Sequence, residues 1–430
     1  MSIRLRHVAA VNPPTHEFDV LPDTAELPFL PLEAVWPGDR LDTTRRQPKS
    51  AVSSGYTRFR EGDILLPKIT PTFQADRTVI VKGLEGGVGA GTTELHVVRA
   101  GPDADVRYLR YLLSSKKFLD EGEASMLGVA GQKRVPDDCL RDLRVPVVDL
   151  RHQRAIADYL DRETARIDAL IEKKGCLVER LGERRQSLIT GAVTGELGVS
   201  EMAACRQDQI PLIGDPRAIT GGDRVSIRLK HLARITVSNV DKKTASDEQS
   251  ICLCNYTDVY YNERITADLP FMEATASADQ IDRFGLRGGD VLLTKDSETP
   301  DDIAVPAYVD ADLPGVVCGY HLALLRPSPD VDGRYLFWAL TSRSSREQFS
   351  ALANGITRFG IRYDSFGEVR VPLPSFDRQR AIADYLDRET ARIDALVKMI
   401  DQQTSLLAEH RQALITAAVT GELQIPGVAA

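Results

Sequence analysis

The chain has no apolar run of the roughly 18 residues that a membrane-spanning helix needs. Its start, MSIRLRHVAAVNPP, lacks the long apolar stretch of a secretory signal, so a cytosolic protein is expected. Metal-ligand spacing is missing too. The six cysteines, at 139, 176, 205, 252, 254 and 318, read as reduced thiols. Cys252 and Cys254 alternate with Ile251 and Leu253, the pattern of a buried strand. The glycine-rich stretch Gly83 to Gly91, GLEGGVGAG, lacks the Gly-Lys-Ser/Thr ending of a phosphate loop and leads into no evident helix. It reads as a flexible inter-strand loop that could let a DNA backbone approach closely. No glycine-rich cofactor turn follows a buried strand, so no cofactor is expected.

Bulk charge lacks a basic excess: the net value is -8, which argues against phosphate contacts. The local distribution points the other way. From Arg40 to Lys82 nine basic residues stand against four acidic ones, so an acidic whole can carry a basic face. Any single one of these residues can equally be a solvated surface charge.

What the chain does have is a repeat. The 18 residues QRAIADYLDRETARIDAL from Gln153 recur unchanged from Gln379, and the offset of 226 holds to Leu197 and Leu423. Of these 45 paired positions 31 are identical: all of 153–170, none of 171–180 and 13 of 181–197. Scattered anchors extend the duplication. SIRLRHVAAV from Ser2 matches SIRLKHLARI from Ser226, and GDILLPK from Gly62 matches GDVLLTK from Gly289. Arg107-Tyr108-Leu109 answers Arg334-Tyr335-Leu336, and Arg144-Val145-Pro146 answers Arg370-Val371-Pro372. The order is globular unit, helix, globular unit, helix; units this long are paired domains, because solenoid repeats run about 20 to 50 residues.

Apolar residues at 156, 160, 167, 170, 177, 181 and 188, and at 382, 386, 393, 396, 400, 407 and 414, form a heptad-like seam. Asp149 and Ser375 are expected N-caps, and Gly195 and Gly421 expected terminators. Helices of about 40 residues and on the order of 60 Å are too long to be covered by one small domain, so the two should pack on each other. Gly175 and Gly182 make a bend more expected in the first. Identity on every helix face, including Glu163 and Asp168, exceeds what a seam requires. Recent duplication would copy all positions alike; two identical partners, one per copy, would preserve the outward faces. The divergence of the globular units favours the second, and two equal docking sites imply a pseudo-twofold with antiparallel helices and the globular units at opposite ends.

The globular units read as α+β. TELHVVRA and YHLALLRP look like matched strands, and VRYLRYLLSSKKFLDE and GRYLFWALTSRSSREQF have helical spacing. Asn12-Pro13-Pro14-Thr15 suggests the Asn-Pro-Pro-aromatic motif of amino-methyltransferases, but Thr15 replaces the aromatic and the stretch reads as a Pro-stiffened turn. His7 and His231, at matched positions, have no catalytic constellation that repeats with them.

In order and duplication, the two diverged units, the two helices running Gln-Arg-Ala-Ile-Ala-Asp-Tyr-Leu-Asp to Leu-Ile-Thr-x-Ala-Val-Thr-Gly-Glu-Leu, and NYTDVY from Asn255 resemble the specificity (S) subunits of type I restriction-modification systems. The resemblance implies two globular target-recognition domains separated by two long antiparallel helices forming a coiled coil, with a pseudo-twofold internal repeat. The expected division is 1–148 and 201–374 for the recognition domains, with conserved helical regions at 149–200 and 375–430. It also implies a non-catalytic, membrane-free reader of double-stranded DNA with a split recognition site. Two methyltransferase (M) subunits would dock on its helices, and restriction (R) motor-nuclease subunits would join through them. The helix pair would act as a ruler, with half-sites about one helical turn, roughly 34 Å, apart.

Side chains able to read base edges are chiefly Arg, Lys, Asn and Gln. The DNA-binding candidates are Arg45, Arg46, Lys68, Gln74, Arg77, Lys133 and Arg134 in the first unit and Lys242, Lys243, Asn255, Tyr256, Arg264, Lys295 and Arg358 in the second. Arg134 and Arg358 stand out because GQKR and GITR precede the helices comparably. Partner docking is expected at Arg154, Asp158, Arg162 and Arg166, and at Arg380, Asp384, Arg388 and Arg392. The alternatives are a DNA adenine methyltransferase built on the NPPT motif and a purely structural coiled-coil scaffold.

Overall fold

A computed structural model of the chain describes residues 2–128, 132–197 and 225–425. Cys205 and Gly131 lie outside them. The fold is α+β, and the contacts divide it into two compact units, Met1–Cys176 with Ile400–Ala430, and Leu177–Met399. Each unit therefore contains pieces of both long helices.

In the first unit Ser2–Arg4 pairs antiparallel with Arg144–Pro146, closing the globular part where the helix begins. One sheet runs in the order Ala9–Val11, Leu95–Ala100, Ile64–Pro67, Val79–Ile80. A second runs Arg46–Pro48, Glu26–Leu30, Val88–Gly91, Thr57–Arg60. The second unit repeats the first of these sheets as Ala233–Val237, Leu322–Pro327, Val291–Thr294, Pro306–Val309, with Arg264–Ile265 added. Register is kept as well as order: Ile64 lies opposite Val98, and Val291 opposite Leu325. The Gly-Asp turn explains why this strand survives divergence. Gly62 and Gly289 adopt φ of 83° and 95°, and the following aspartates are buried, each held by two hydrogen bonds from one arginine. Asp63 takes Arg99 at 2.7 and 2.8 Å, and Asp290 takes Arg326 at 2.9 and 2.8 Å.

Both long helices span 45 residues, Leu150–Thr194 and Phe376–Thr420. Asp149 caps the first by accepting from the His152 N–H at 2.9 Å. Gly195 and Gly421 end them at φ of 72° and 81°. The first helix runs unbroken through Gly175 and Gly182, which face open space. In each unit the helix pieces complete the core. Ile156 and Leu160 join Ile415 and Val419 against Leu109, Leu112 and Phe118; Ile382 and Leu386 join Ile189 and Val193 against Leu336 and Trp338. The pieces run antiparallel: in the first unit Arg411 Nε donates to Asp168 Oδ1 at 2.8 Å and Lys174 reaches Gln403. The expected seam is not buried throughout, since Leu170 and Leu177 are 43% and 47% exposed.

Three local expectations change. Each matched helical stretch is two short helices, Val106–Leu113 and Lys116–Ala124, and Gly333–Thr341 and Arg343–Leu352; Ser115 breaks the first pair by capping Phe118. The glycine-rich stretch is not a flexible loop, because Val88–Gly91 is a buried strand between Glu26–Leu30 and Thr57–Arg60. A Cβ on Gly89 would sit 2.5 Å from the Phe59 ring, so glycine is there for close packing. His7 and His231 fall on exposed 3₁₀ turns rather than strands. Cys254 is buried in the strand Gln249–Cys254, opposite Cys318, as the alternation predicts; burial pushes the Cys254 thiol up.

Candidate nucleic-acid interface

The conserved central strands end at matched lysines. Lys68 donates its N–H to Glu94 O and accepts from Val135 N–H; Lys295 donates to His321 O and accepts from Ile361 N–H. Each lysine is thus clamped between the returning strand and the segment leading toward the long helix. In the first unit this gathers Lys68, Lys133 and Arg134, because Thr70 N–H bonds Lys133 O and Arg134 exchanges backbone hydrogen bonds with Leu127. The Arg134 guanidinium is forked on Glu94, with contacts at 2.9 and 2.8 Å that hold the Glu94 carboxyl below its usual range. Lys68 also lines an open groove of about 420 Å³ with Asn12, Thr15, Tyr56 and Arg58.

In the second unit the hairpin Asn354–Gly355 with Phe359–Gly360 pairs onto Asp296–Ser297, next to Lys295. Lys295 Nζ stands 5.0 Å from the Tyr320 ring centroid. Arg358 is exposed on the hairpin, close enough to Tyr256 for its charge to oppose the upward shift that burial gives that phenol. Tyr256 stacks on Tyr260 at 5.5 Å, and Tyr260 donates to Asp302, which pushes its phenol up to about 12. Asn255 opens this short helix, its N–H held by the Asp258 carboxylate at 2.7 Å. The structure therefore brings Arg358 and Asn255 to the Tyr256–Tyr260 stack, while Lys295 lies against Tyr320.

The other candidates are dispersed or engaged. Arg45 pairs with Glu33 at 2.9 Å, Arg46 with Glu85 at 2.6 Å, and Gln74 donates to Glu123 at 2.7 Å. Arg77 lies over the Trp36 ring at 5.6 Å. Lys242 and Lys243 are exposed, the latter 3.6 Å from Asp241. Arg264 is tied to Asp310 at 2.9 Å and to Asp387 of the long helix at 2.6 Å. The basic balance of residues 40 to 82 is also offset by acids from elsewhere: Arg58 meets Asp19 and Arg60 meets Glu17. Counting charge along the sequence could not see those partners. Asn12 of the NPPT stretch, at φ 50°, joins strands and helix: its Oδ1 accepts from Val97 N–H and its Nδ2 donates to Asp137, both at 2.8 Å.

Part of the 18-residue identity has an internal cause. Gln153 and Gln379 make the same three hydrogen bonds, to Asp103, Val148 and Asp105, and to Asp330, Pro374 and Asp332. Arg107 joins Asp158 and Asp161, both at 2.7 Å, and Arg334 joins Asp384 and Asp387 at 2.8 and 3.1 Å. Arg388 and Arg392 bond Glu389, and Arg154 lies 3.9 Å from Asp105. What stays outward is a stripe at helical spacing, Arg154, Asp158, Arg162, Ala165, Arg166 and Ala169, with its counterpart Arg380, Asp384, Ala391, Arg392 and Ala395. The sequence signal for the internal arginines was present, since Arg107 and Arg334 are repeat anchors.

No protein-family model matches the chain. Among curated proteins it is 40% identical over 148 residues to the Type I restriction enzyme EcoEI specificity subunit of Escherichia coli, covering 34% of this chain and 24% of that protein. It is 33% identical over 205 residues to the EcoAI specificity subunit of the same species, 46% of this chain and 33% of that one. The matched stretches thus span a third or less of those relatives. Among solved structures, one described as the structural basis of complex assembly and conformational transition of the type I R-M system aligns over 98% of each chain, with TM-score 0.74 and 16% identity. The HsdS subunit from Thermoanaerobacter tengcongensis aligns over 98% of this chain and 97% of its own, with TM-score 0.52 and 16% identity. Among the described residues no helix is long and apolar enough to cross a membrane. The chain is thus similar in sequence, over part of their length, to two type I restriction enzyme specificity subunits, and it shares its fold over nearly its full length with the two solved structures.

Proposed function

We propose that the chain is a non-catalytic reader of double-stranded DNA: each globular region, 1–148 and 201–374, binds one half of a split site. The observation that carries this is the pair of equivalent strand ends, Lys68 and Lys295, surrounded by basic and polar side chains that differ between the units. A shared frame with different reading groups suits two different half-sites on one DNA. Lys and Arg supply phosphate attraction, and Arg, Asn and Gln the paired hydrogen bonds that distinguish bases. Arg134 would exchange Glu94 for a guanine edge or a phosphate.

The two outward stripes are read as docking surfaces for two methyltransferase subunits, which carry out adenine methylation and recruit the motor-nuclease subunits. Arg162, Arg166 and Arg380 make no ion pair among the described residues, so their charges are free to meet a partner. Chemistry by the chain itself through NPPT is disfavoured, since the Asn12 amide is engaged inside the fold.

Mapping methylated adenines in the source genome with and without this gene tests the proposal. Loss of one two-part methylated motif on deletion is expected; unchanged methylation overturns it. Exchanging residues 1–145 for those of another family member should change one half-site only.

A further inference from the structure

The hairpin of the second unit holds Ile356 in water. At 94% exposure it is the most exposed large apolar side chain among the described residues. We propose that Ile356 is an apolar wedge that enters a base step of the DNA half-site bound by this unit, with Arg358 on the adjoining phosphate. The inference rests on the DNA-reading function proposed above and specifies how one half-site is engaged.

Four observations carry it. The hairpin is anchored at its base, where Phe359 and Gly360 pair with Ser297 and Asp296, so its tip has rigid backing. Its crossing is tight: Gly355 has φ 153°, and a Cβ there would lie 2.0 Å from Arg358 O, so the turn that presents Ile356 requires glycine. The neighbours of Ile356 are an exposed Thr357 and an exposed Arg358 that forms no ion pair among the described residues, a polar collar suited to a phosphate backbone rather than to a protein core. Tyr261, 77% exposed, adds a second ring face beside the Tyr256 and Tyr260 stack.

The first unit has a glycine of the same kind at the matched position. Gly128, 227 residues earlier, has φ 142°, and a Cβ there would lie 2.5 Å from Gln132 O. In sequence Val129 follows Gly128 as Ile356 follows Gly355, although Val129 is outside the described residues. A strained glycine followed by a β-branched apolar residue is thus kept while the surrounding loop has changed in length and composition. Aliphatic side chains backed by rigid structure and flanked by phosphate-binding cations part base steps in this way and kink the duplex. Isoleucine gains little from folding at such a site, and gains contact only when something apolar, such as base faces, closes around it.

The test uses the full chain with its methyltransferase subunits on DNA carrying its two-part site. The second unit's half-site is identified as the one that changes when residues 201–374 are exchanged. Permanganate reactivity of thymines reports unstacking, and titration reports affinity. The wild-type complex should expose a reactive thymine in or beside that half-site. Ile356→Ala should remove the reactivity and weaken binding about tenfold, the scale of one lost apolar side-chain burial; Ile356→Leu should retain most of both. Reactivity in the other half-site should stay unchanged, as should the melting temperature, because Ile356 packs on nothing. Unaltered affinity and reactivity in Ile356→Ala overturns the wedge. Weakened methyltransferase association with intact DNA contacts also overturns it, by making the hairpin a protein contact. A wild-type complex that binds no two-part site refutes the underlying DNA-reading function instead.

Discussion

Arg411 and Asp168 join the two helix pieces of the first unit, Nε to Oδ1 at 2.8 Å, and their counterparts Arg185 and Asp394 meet at 3.3 Å in the second. All four lie in the identical parts of the repeat, so this identity has a structural cause before any partner is considered. Arg411 is largely buried and Asp168 half-exposed, which limits solvent screening on one side only. A double-mutant cycle on Arg411→Ala and Asp168→Ala should give a coupling of about 1 kcal/mol in thermal or urea unfolding. Additive losses would show the pair to be incidental.

The buried aspartates of the Gly-Asp turns should matter more. Asp63 is 1% exposed, and Asp63→Ala would leave Arg99 without its counter-charge. A loss of about 3 kcal/mol is expected, at the low end for a broken buried pair because Arg99 keeps some solvent access. The double variant Asp63→Leu with Arg99→Met should recover much of that loss. Asp290→Ala should act alike in the second unit, through Arg326.

These two relationships also show what sequence could and could not disclose. The anchors GDILLPK and GDVLLTK, and Arg107 and Arg334, were visible as repeated strings, and they prove to be the frame: a strand with its buried acid, and the arginine holding the helix. The helix ends were legible because Asp149, Gly195 and Gly421 act locally. The glycine-rich stretch was misread because its function is packing against Phe59, which lies far along the chain. The basic run from Arg40 to Lys82 was overvalued for a related reason: Glu17, Asp19, Glu33 and Glu85 reach it only through the fold. Arg264 looked like a base reader and is bound to Asp387.

Acidification should weaken the first unit. His96 is buried, with Nε2 2.9 Å from Val135 O, and burial lowers its pKa from the ordinary 6.5. The unfolded chain therefore binds the proton more readily. Stability from the neutral ring is complete above about pH 6.5 and declines as pH falls from there toward the lower folded value. Melting temperature followed between about pH 8 and 5 should show the decline, and His96→Gln should flatten it. An unchanged slope in that variant would assign the decline to other groups.

Charge reversal on one outward stripe should separate the two docking sites proposed for methyltransferase subunits. Arg162→Glu with Arg166→Glu leaves the second copy, Arg388 and Arg392, untouched. The complex isolated with excess methyltransferase subunit should then carry one copy instead of two by native mass spectrometry, with folding unaffected. Retention of two copies would remove these arginines from the docking surface.

Because the core of each unit is completed by a helix piece from the other half of the chain, neither half is self-sufficient. Ile415 and Val419 fill the first unit, yet the first half ends in their counterparts Ile189 and Val193, which fill the second. A fragment of residues 1–197 carries both the socket and a near copy of the plug. Two such fragments should exchange plugs and form a symmetric dimer. On the DNA-reading function proposed above, that dimer would take a palindromic site, whereas the joined chain, with its two units free to differ, would take an asymmetric one.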